Sequence, residues 1–330
     1  MKVPRVVFVG TSHLGLRCLE ALCDSPALAV AGVVSAPETF RISYRPQGVR
    51  NVLHANVSAA AAAHGLPSTM LGERMKEPAL FDAVSGWAPD VILVAGWYHI
   101  IPRAWRDLAP TYGLHGSLLP KYAGGAPLVW ALINDEPETG ISLFQLGDGV
   151  DDGPVAGQRR TVINDNDTIA TVYSRIEALA VELIRDEFVK VATGSLEPQP
   201  QDLSQRTVVP QRSPADGWID WRWSARRVFN FVRAQTRPYP GAFAESEAGC
   251  LRVWTASIQG TSTGRPGTIR MDAGTPVVTC GDGRLLRLDH WEFEPGTGGG
   301  TLTGLTAVKA LAAVSSLRVS RDREGAERRL

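Results

Sequence analysis

The chain has 330 residues, enough for two domains of ordinary size that could each bury a core. Its composition, 44% apolar and 21% charged, is typical of a globular protein, and no apolar run is long enough to span a bilayer. The 34 basic residues balance the 34 acidic ones. Because phosphate binding normally leaves a basic footprint, this balance argues against a nucleic-acid partner, although it leaves tRNA open.

The start of the chain enters a predicted strand directly, without the long apolar stretch and cleavage site of a signal peptide. The four cysteines show neither CxxC spacing nor a disulfide-dense pattern. We therefore expect a cytoplasmic protein without a membrane segment, and with reduced, structural thiols at Cys18, Cys23, Cys250 and Cys280.

Strand and helix patterns alternate through the first two hundred residues. Strands are predicted at residues 6–9, 29–34 and 91–95. Helices are predicted up to residue 23, around residues 80–84 and from about 167 to 193. Short apolar strands separated by helices indicate a parallel sheet that is covered on both faces.

Gly10 and Gly15 follow the first strand, where dinucleotide-binding proteins carry a glycine fingerprint. Their spacing does not fit G-x-G-x-x-G, and no acidic residue follows the second strand at the expected distance. We therefore reject an NAD site and expect a tight turn from strand to helix.

Residues 197–202 are polar and proline-containing, which predicts a linker after the long helix. Beyond it, one short helix at 224–234 precedes strand-like runs at 251–254, 267–269, 276–280 and 285–288, a pattern typical of a small β-barrel.

Glycines at 296–300 predict a flexible break before a solvated helical tail with a net charge of plus three. Its charged residues are Lys309, Arg318, Arg321, Arg323, Arg328 and Arg329 against Asp322, Glu324 and Glu327. The predicted domains are residues 1–200 and 201–298, with a flexible or helical basic tail at 299–330.

Two segments contain residues suited to proton transfer. His115 lies in the run 113–120, and Asp151 lies in the glycine-rich run 147–153. An imidazole exchanges protons near neutral pH, and a carboxylate can orient it and support its charge. Taken singly, each residue would be interpreted as a core histidine or a turn aspartate. Together they could perform acyl transfer to an amine, which needs a proton acceptor, an orienting group, oxyanion donors and a slot for the acyl donor.

The context of these residues resembles the folate-dependent formyltransferase family. The resemblance lies in the pattern H-x-S-L-L-P at residues 115–120 and in the block T-G-[VI]-[TS]-L…D-x-G that begins at Thr139. Residues 233–243 and 280–283 resemble the C-terminal domain shared by methionyl-tRNA formyltransferase and the UDP-aminosugar formyltransferases. The resemblance covers most of the chain. It implies a Rossmann-like α/β formyltransferase domain with a parallel sheet, followed by a small OB-like β-barrel.

The resemblance also implies roles for individual residues. His115 would transfer the proton, and Asp151 would support it. The backbone after the third predicted strand would flank the pterin, in keeping with ligand binding beyond the carboxyl ends of strands. The co-substrate 10-formyltetrahydrofolate would then be bound by Gly96, Trp97, Tyr98, Ser117, Leu118, Leu119, Pro120, Gly125, Gly147, Asp148, Gly149 and Val150.

Three positions depart from the family pattern. Gly113 stands where the family has an asparagine that holds the formyl oxygen, and Ala123 and Gly125 stand in place of arginines. Losing one oxyanion donor typically costs about two to three orders of magnitude in turnover. A backbone N–H of the glycine-rich loop or a bound water could replace it. We expect the small residues to open the pocket and to favour a larger or neutral amine over an anionic one.

The function expected from the sequence is N-formyl transfer from 10-formyltetrahydrofolate to the amine of a small molecule, either an aminosugar nucleotide or a specialised metabolite. The alternatives are altered one-carbon or acyl chemistry such as hydrolysis of the formyl donor, methionyl-tRNA formylation, and a non-catalytic folate-binding protein. Retention of both His115 and Asp151 counts against the last. No metal-ligand spacing is present, and the family habit suggests a monomer or homodimer.

Overall fold

A computed structural model describes residues 2–42, 45–296, 300–312 and 314–319. Contacts between residues divide the chain into two units. The first comprises the residues up to Pro127 together with Glu138–Val162 and Tyr173–Gln211. The second comprises Leu128–Pro137, Ile163–Val172 and the residues from Arg212 onward. None of the helices in the described ranges has the length and apolar character needed to cross a membrane.

The chain up to residue 211 contains eleven strands and seven α-helices among its described residues. In chain order they are β1 (Arg5–Gly10), α1 (His13–Cys23), β2 (Ala29–Ser35), β3 (Thr39–Ile42), β4 (Arg45–Arg50), α2 (Val57–Ala63), β5 (Ser68–Met70), α3 (Pro78–Gly86), β6 (Val91–Ala95), α4 (Arg103–Leu108), β7 (Thr111–His115), β8 (Ala123–Gly124), α5 (Pro127–Ile133), β9 (Glu138–Gln145), β10 (Val155–Val162), α6 (Ile169–Leu183), α7 (Val189–Ala192) and β11 (Val208–Val209). A single π-helical turn, Ile184–Phe188, joins α6 to α7.

Seven of these strands form the main sheet of the first unit, in the order β10-β9-β7-β6-β1-β2-β5. The strands from β7 to β5 are parallel, whereas β9 and β10 are antiparallel to their neighbours. Strand β6 is buried along its whole length, as expected for a central strand covered on both faces. The predicted α/β class is therefore confirmed. Strands β1, β6 and β7 run in parallel, so their carboxyl ends lie at the same edge of the sheet. The last residues of these strands are Gly10, Ala95 and His115.

The glycines after β1 allow backbones to approach closely. A Cβ atom on Gly10 would lie 2.6 Å from the carbonyl oxygen of Ala95, and one on Gly15 would lie 2.8 Å from the same atom. Ser12 caps the start of α1 by accepting a hydrogen bond from the N–H of Gly15. The glycines thus serve the turn from β1 to α1, as the sequence analysis expected.

The predicted strands correspond to β1, β2 and β6, and the long predicted helix corresponds to α6, the π turn and α7. The remaining strands of this unit have no clear signature in the sequence. Strand β10 is half-exposed and contains three consecutive polar residues at 158–160, so it lacks the apolar run used to find the buried strands.

The second unit contains a five-stranded antiparallel sheet in the order β12-β13-β16-β15-β14. Its elements are α8 (Ala225–Gln235), β12 (Ala242–Ser246), β13 (Gly249–Thr261), β14 (Ile269–Asp272), β15 (Thr275–Thr279), β16 (Arg284–Pro295) and α9 (Gly304–Leu311). Three of the four predicted strand runs fall within or largely on β13, β15 and β16. The run at 267–269 lies just before β14 and shares only Ile269 with it.

Part of the predicted basic tail packs on this antiparallel sheet. The N–H of Leu317 donates to the carbonyl of Gly267, and the N–H of Arg318 donates to the carbonyl of Glu245. Leu317 is buried. The segment therefore bridges the two edge regions of the sheet, as closure into a barrel requires. Most of the predicted flexible break at 296–300 and the tail residues from 320 onward lie outside the described residues.

The predicted linker at 197–202 is hydrogen-bonded to the first unit. The N–H of Gln199 donates to the carbonyl of Val155, and the N–H of Val155 donates back to the carbonyl of Gln199. Contacts group the chain with the first unit as far as Gln211. The domain boundary at residues 200 and 201 stays a prediction.

Candidate active site

His115 ends β7 and is buried, with 9% of its surface exposed. Its Nε2 atom lies 2.8 Å from the carbonyl oxygen of Tyr122, and its Nδ1 atom lies 3.5 Å from Oδ2 of Asp151. Because a carbonyl oxygen can only accept, Nε2 carries a hydrogen. In the neutral imidazole, Nδ1 is then the nitrogen with the free lone pair, and it faces the carboxylate.

Asp151 is held in a left-handed backbone conformation with a φ of 52°, which is uncommon for a residue other than glycine. Its Oδ2 atom accepts a hydrogen bond of 2.8 Å from the N–H of Gly124. The same oxygen therefore faces both the imidazole and a backbone donor. The structure brings the two predicted chemical residues together, although they are 36 positions apart in the sequence.

The loop before Asp151 is compact because its glycines leave room for a carboxylate. A Cβ atom on Gly149 would lie 1.9 Å from Oδ2 of Asp152, and one on Gly147 would lie 3.0 Å from Oδ1. Arg106 on α4 donates a hydrogen bond of 2.8 Å to Asp148, and this interaction holds the pKa of the Asp148 carboxyl below its usual value. Val150, at the tip of the loop, is 55% exposed.

The corner at Ser117 is fixed from inside the protein. The hydroxyl of Ser117 donates to the carbonyl of Lys121, and the carbonyl of Ser117 accepts from the hydroxyl of Ser142. Gln158 donates both to the carbonyl of Leu119 and to the hydroxyl of Ser142. The side chains of Ser117 and Leu119 are buried. The side chains of these two predicted folate-binding residues therefore point into the protein interior.

The other two residues of this corner are half-buried. Leu118 faces Gly140, where a Cβ atom would lie 2.5 Å from its Cδ2 atom. Pro120 lines an open depression of about 350 Å³ together with Gln158 and Gln201, and His115 is not among the residues around it. This depression is thus separate from the His115–Asp151 pair.

The space beside Gly113 is filled. A Cβ atom there would lie 3.0 Å from Cδ2 of Leu146 and 3.2 Å from Cε1 of Phe144. Phe144 is buried and packs with Leu119 and Ala123. The expectation that Gly113 opens the pocket is therefore wrong, because apolar side chains from β9 and the residue after it occupy that space.

Gly125 does not leave open space either. A Cβ atom on Gly125 would lie 2.5 Å from the Cα atom of Gln211, and its N–H donates to the carbonyl of Val209. Ala123 is fully buried. Ala123 and Gly125, which replace the two family arginines, are thus covered by the segment that follows the predicted linker at 197–202.

The segment after β6 carries three aromatic rings. Gly96 has a φ of 63°, and a Cβ atom there would lie 1.8 Å from Oγ of Ser12, so glycine is required. The hydroxyl of Tyr98 donates to Oδ1 of Asn51, and 36% of Tyr98 is exposed. Trp97 packs against the apolar core of the sheet. Burial lowers the pKa of His99, whose ring lies 5.6 Å from that of Trp97.

Several groups that hold this site were not predicted from the sequence. The backbone carbonyl of Tyr122 and the N–H of Gly124 give no signal in a sequence, because every residue carries such groups. Gln201 and Arg206 also contact the Asp151 loop. Gln201 lies in the polar run 197–202 that was interpreted as a linker, and Arg206 lies just after it. The described residues include no group of three or more His, Cys, Asp or Glu side chains able to hold a metal ion.

Comparison with known proteins agrees with this architecture. Residues 4–187 match the formyl transferase family, and residues 212–297 match the formyl transferase C-terminal domain. A methionyl-tRNA formyltransferase of Pelobacter propionicus is 32% identical over 320 residues, covering 92% of this chain and 97% of the relative. One of Sorangium cellulosum is 35% identical over 289 residues, covering 85% and 89%.

Among solved structures, WlaRD, a sugar 3N-formyl transferase crystallised with dTDP and 5-N-formyl-THF, is similar in fold. The TM-score is 0.65 at 13% sequence identity, over 90% of this chain and 99% of that one. An α/β unit with a mostly parallel sheet, followed by an antiparallel barrel-like unit, is the architecture of an enzyme that transfers one-carbon groups. The chain belongs to the formyl transferase family, whose members transfer formyl groups from formyl-tetrahydrofolate.

Proposed function

We propose that this enzyme transfers the formyl group of 10-formyltetrahydrofolate to the primary amine of a small molecule, with His115 and Asp151 as the catalytic pair. The observation that carries the proposal is the placement of Nδ1 of His115 3.5 Å from Asp151, with Nε2 bound to the carbonyl of Tyr122. The hydrogen on Nε2 is fixed by that carbonyl. Proton transfer therefore takes place at Nδ1.

The reaction follows from this assignment. The amine nitrogen attacks the formyl carbon and forms the new C–N bond while its proton passes to Nδ1 of His115. The bond from the formyl carbon to N10 of the folate then breaks, and N10 takes the proton from Nδ1. Asp151 stabilises the imidazolium between these two steps, because an opposite charge nearby favours the charged form.

The formyl oxygen needs a donor other than a side chain at residue 113. The atoms nearest to a Cβ at Gly113 are carbons of Leu146 and Phe144, which cannot donate hydrogen bonds. We propose that a backbone N–H of the glycine-rich loop at 147–153 supplies this donor, because both nitrogens of the His115 ring already face Tyr122 and Asp151. The folate itself would lie along the segment Gly96 to Tyr98 and the loop Gly147 to Val150, which flank the pair in the sequence-based assignment.

The proposed acceptor is a small amine. The chain has a net charge of zero, and the positions where the family pattern carries arginines hold Ala123 and Gly125. Gly125 lies against Gln211 and has no room for a longer side chain. An acceptor without a large polyanionic surface fits this charge balance best. Cytoplasmic location and a monomeric or dimeric state accompany the proposal as sequence-based expectations.

Methionyl-tRNA is the second candidate. It is favoured by the relatives named methionyl-tRNA formyltransferase, which share 32% to 35% identity across both family domains. Its binding would be sensitive to salt, because phosphate contacts release counterions.

Incubation of the protein with 10-formyltetrahydrofolate and three sets of acceptors tests the proposal. The sets are aminosugar nucleotides with other small amines, initiator methionyl-tRNA, and buffer alone. We expect one small amine to gain the mass of a formyl group. Formylation of methionyl-tRNA alone would replace the small-molecule acceptor with tRNA, and release of tetrahydrofolate in buffer alone at the same rate would indicate hydrolysis.

A further inference from the structure

The segment formed by residues 199–211, here called the strap, joins the two segments that hold the catalytic pair. It contains the short strand β11, which pairs in parallel with β8. The whole strap belongs to the first unit, which also contains His115 and Asp151. The strap was predicted in part to be a linker, yet it makes hydrogen bonds along most of its length.

Its first attachment is to the loop that carries Asp151. Nε2 of Gln201 donates to the carbonyl of Asp151 at 2.9 Å and to the carbonyl of Gly153 at 2.7 Å. Nη2 of Arg206 donates to the carbonyl of Val150 at 2.7 Å. One side-chain amide therefore binds the backbone of the catalytic carboxylate residue itself. That residue has a φ of 52°, a conformation that needs support from its surroundings.

The second attachment is to the segment that faces the histidine. The N–H of Tyr122 donates to Oγ1 of Thr207 at 2.8 Å, and the N–H of Ala123 donates to the carbonyl of Thr207 at 2.9 Å. The N–H of Gly125 donates to the carbonyl of Val209 at 2.8 Å. These bonds lie on both sides of two groups that contact the catalytic pair. The carbonyl of Tyr122 accepts from Nε2 of His115, and the N–H of Gly124 donates to Oδ2 of Asp151.

We propose that Gln201 is a positioning residue for formyl transfer, acting through Asp151. The strap fixes the loop that carries Asp151, and it also fixes the backbone around Tyr122, whose carbonyl accepts the hydrogen on Nε2 of His115. The distance between imidazole and carboxylate is therefore set by the strap as well as by the main sheet. This inference rests on the proposed function, because it requires His115 and Asp151 to be the catalytic pair.

Gln201→Met tests the inference, because methionine keeps the length of the side chain and removes the N–H donors. We expect kcat to fall by about tenfold to a hundredfold, since a displacement of about 1 Å has costs of this order. KM for 10-formyltetrahydrofolate should change little. Gln205→Met is the matched control: Gln205 is exposed, and its amide lies 3.5 Å from Ser204 within the same strap. The control should keep the wild-type kcat.

A double-mutant cycle with Asp151→Asn separates positioning from a general structural role. If Gln201 acts through the carboxylate, Gln201→Met will reduce kcat in the wild-type background and will have little further effect in the Asp151→Asn background. Equal losses in the two backgrounds would overturn the inference. Should Gln201→Met fail to fold, Arg206→Met, which removes the bond to the carbonyl of Val150, takes its place in the same cycle.

The outcome also distinguishes this inference from the proposed function. If Asp151→Asn alone leaves turnover unchanged, the catalytic pair itself is wrongly assigned. If Asp151→Asn reduces turnover but Gln201→Met and Arg206→Met do not, the pair stands and the positioning role fails.

Discussion

Two charged clusters of this enzyme use similar residues in different ways. In the second unit, Arg226 binds Asp135 at 2.6 Å and Asp165 at 2.7 Å, and buried Arg233 donates to Asn230 at 2.9 Å. In the first unit, the imidazole of His115 stands 3.5 Å from its carboxylate. The guanidinium of Arg226 is engaged by short, charge-assisted bonds, which suit a structural role. In the looser pair, Nδ1 of the imidazole is not engaged by such a short bond to the carboxylate.

The comparison teaches that proximity of opposite charges does not identify a catalytic pair. A residue that works in proton transfer needs a titratable atom that is accessible to substrate and is not already committed to a strong bond. In this enzyme, one nitrogen of the histidine is committed to a backbone carbonyl, and this commitment defines which nitrogen remains. Substitutions in the two clusters should therefore have different consequences, for turnover in the first unit and for stability in the second.

The largest effect is expected for His115→Ala. General acid–base groups contribute about a hundredfold to ten-thousandfold, so kcat/KM for formyl transfer should fall by that factor. Steady-state kinetics with saturating 10-formyltetrahydrofolate measures the loss. Circular dichroism should show an unchanged fold. Turnover that survives the substitution would show that another group takes the proton from the amine.

Asp151→Asn should cost less, by about a hundredfold in kcat. In serine-protease triads, the equivalent change costs about ten-thousandfold because the histidine adopts the wrong tautomer. Here the carbonyl of Tyr122 fixes the tautomer, and the new amide oxygen can still accept from the N–H of Gly124. The substitution therefore removes the charge alone. A loss of about ten-thousandfold, as in the serine-protease triads, would mean that Asp151, not Tyr122, sets the tautomer.

Gly113→Asn probes the missing oxyanion donor. The new side chain meets Leu146 and Phe144 at 3.0 and 3.2 Å from its Cβ atom, and such overpacking costs about 1–3 kcal/mol of stability. We expect the single variant to melt at a lower temperature without a gain in activity. Combination with Leu146→Ala makes room for the amide and should raise kcat by about tenfold. If the double variant shows no gain, the formyl oxygen does not bind beside residue 113.

The sequence predicted the α/β class and the antiparallel second region, because strands have a distinct pattern. The H-x-S-L-L-P pattern and the second glycine-rich run drew attention to His115 and Asp151, and the structure places these two side chains close together. The contents of the space beside Gly113 were not predictable. They depend on Phe144, which the sequence places 31 positions away and which the pairing of β7 with β9 brings alongside. Gln201 was missed for a related reason: its partners are backbone carbonyls, and a polar residue in a proline-containing run indicates a linker as readily as a strap.

The smallest effect is expected for Arg226→Met, which removes one of the two cations of the second cluster. The hydrogen bond from Arg226 holds the pKa of the Asp135 carboxyl below its usual value. The resulting stabilisation is present above the unfolded pKa of about 3.9 and is lost as pH falls through the lowered folded pKa. Because the Asp135 side chain is 45% exposed and solvent screens the pair, we expect a cost of about 1 kcal/mol or less at pH 7. Thermal melts of both proteins should therefore differ slightly at neutral pH and converge in acid. Formyl transfer should keep the wild-type kcat, and a clear loss of turnover would break the contrast between the two clusters.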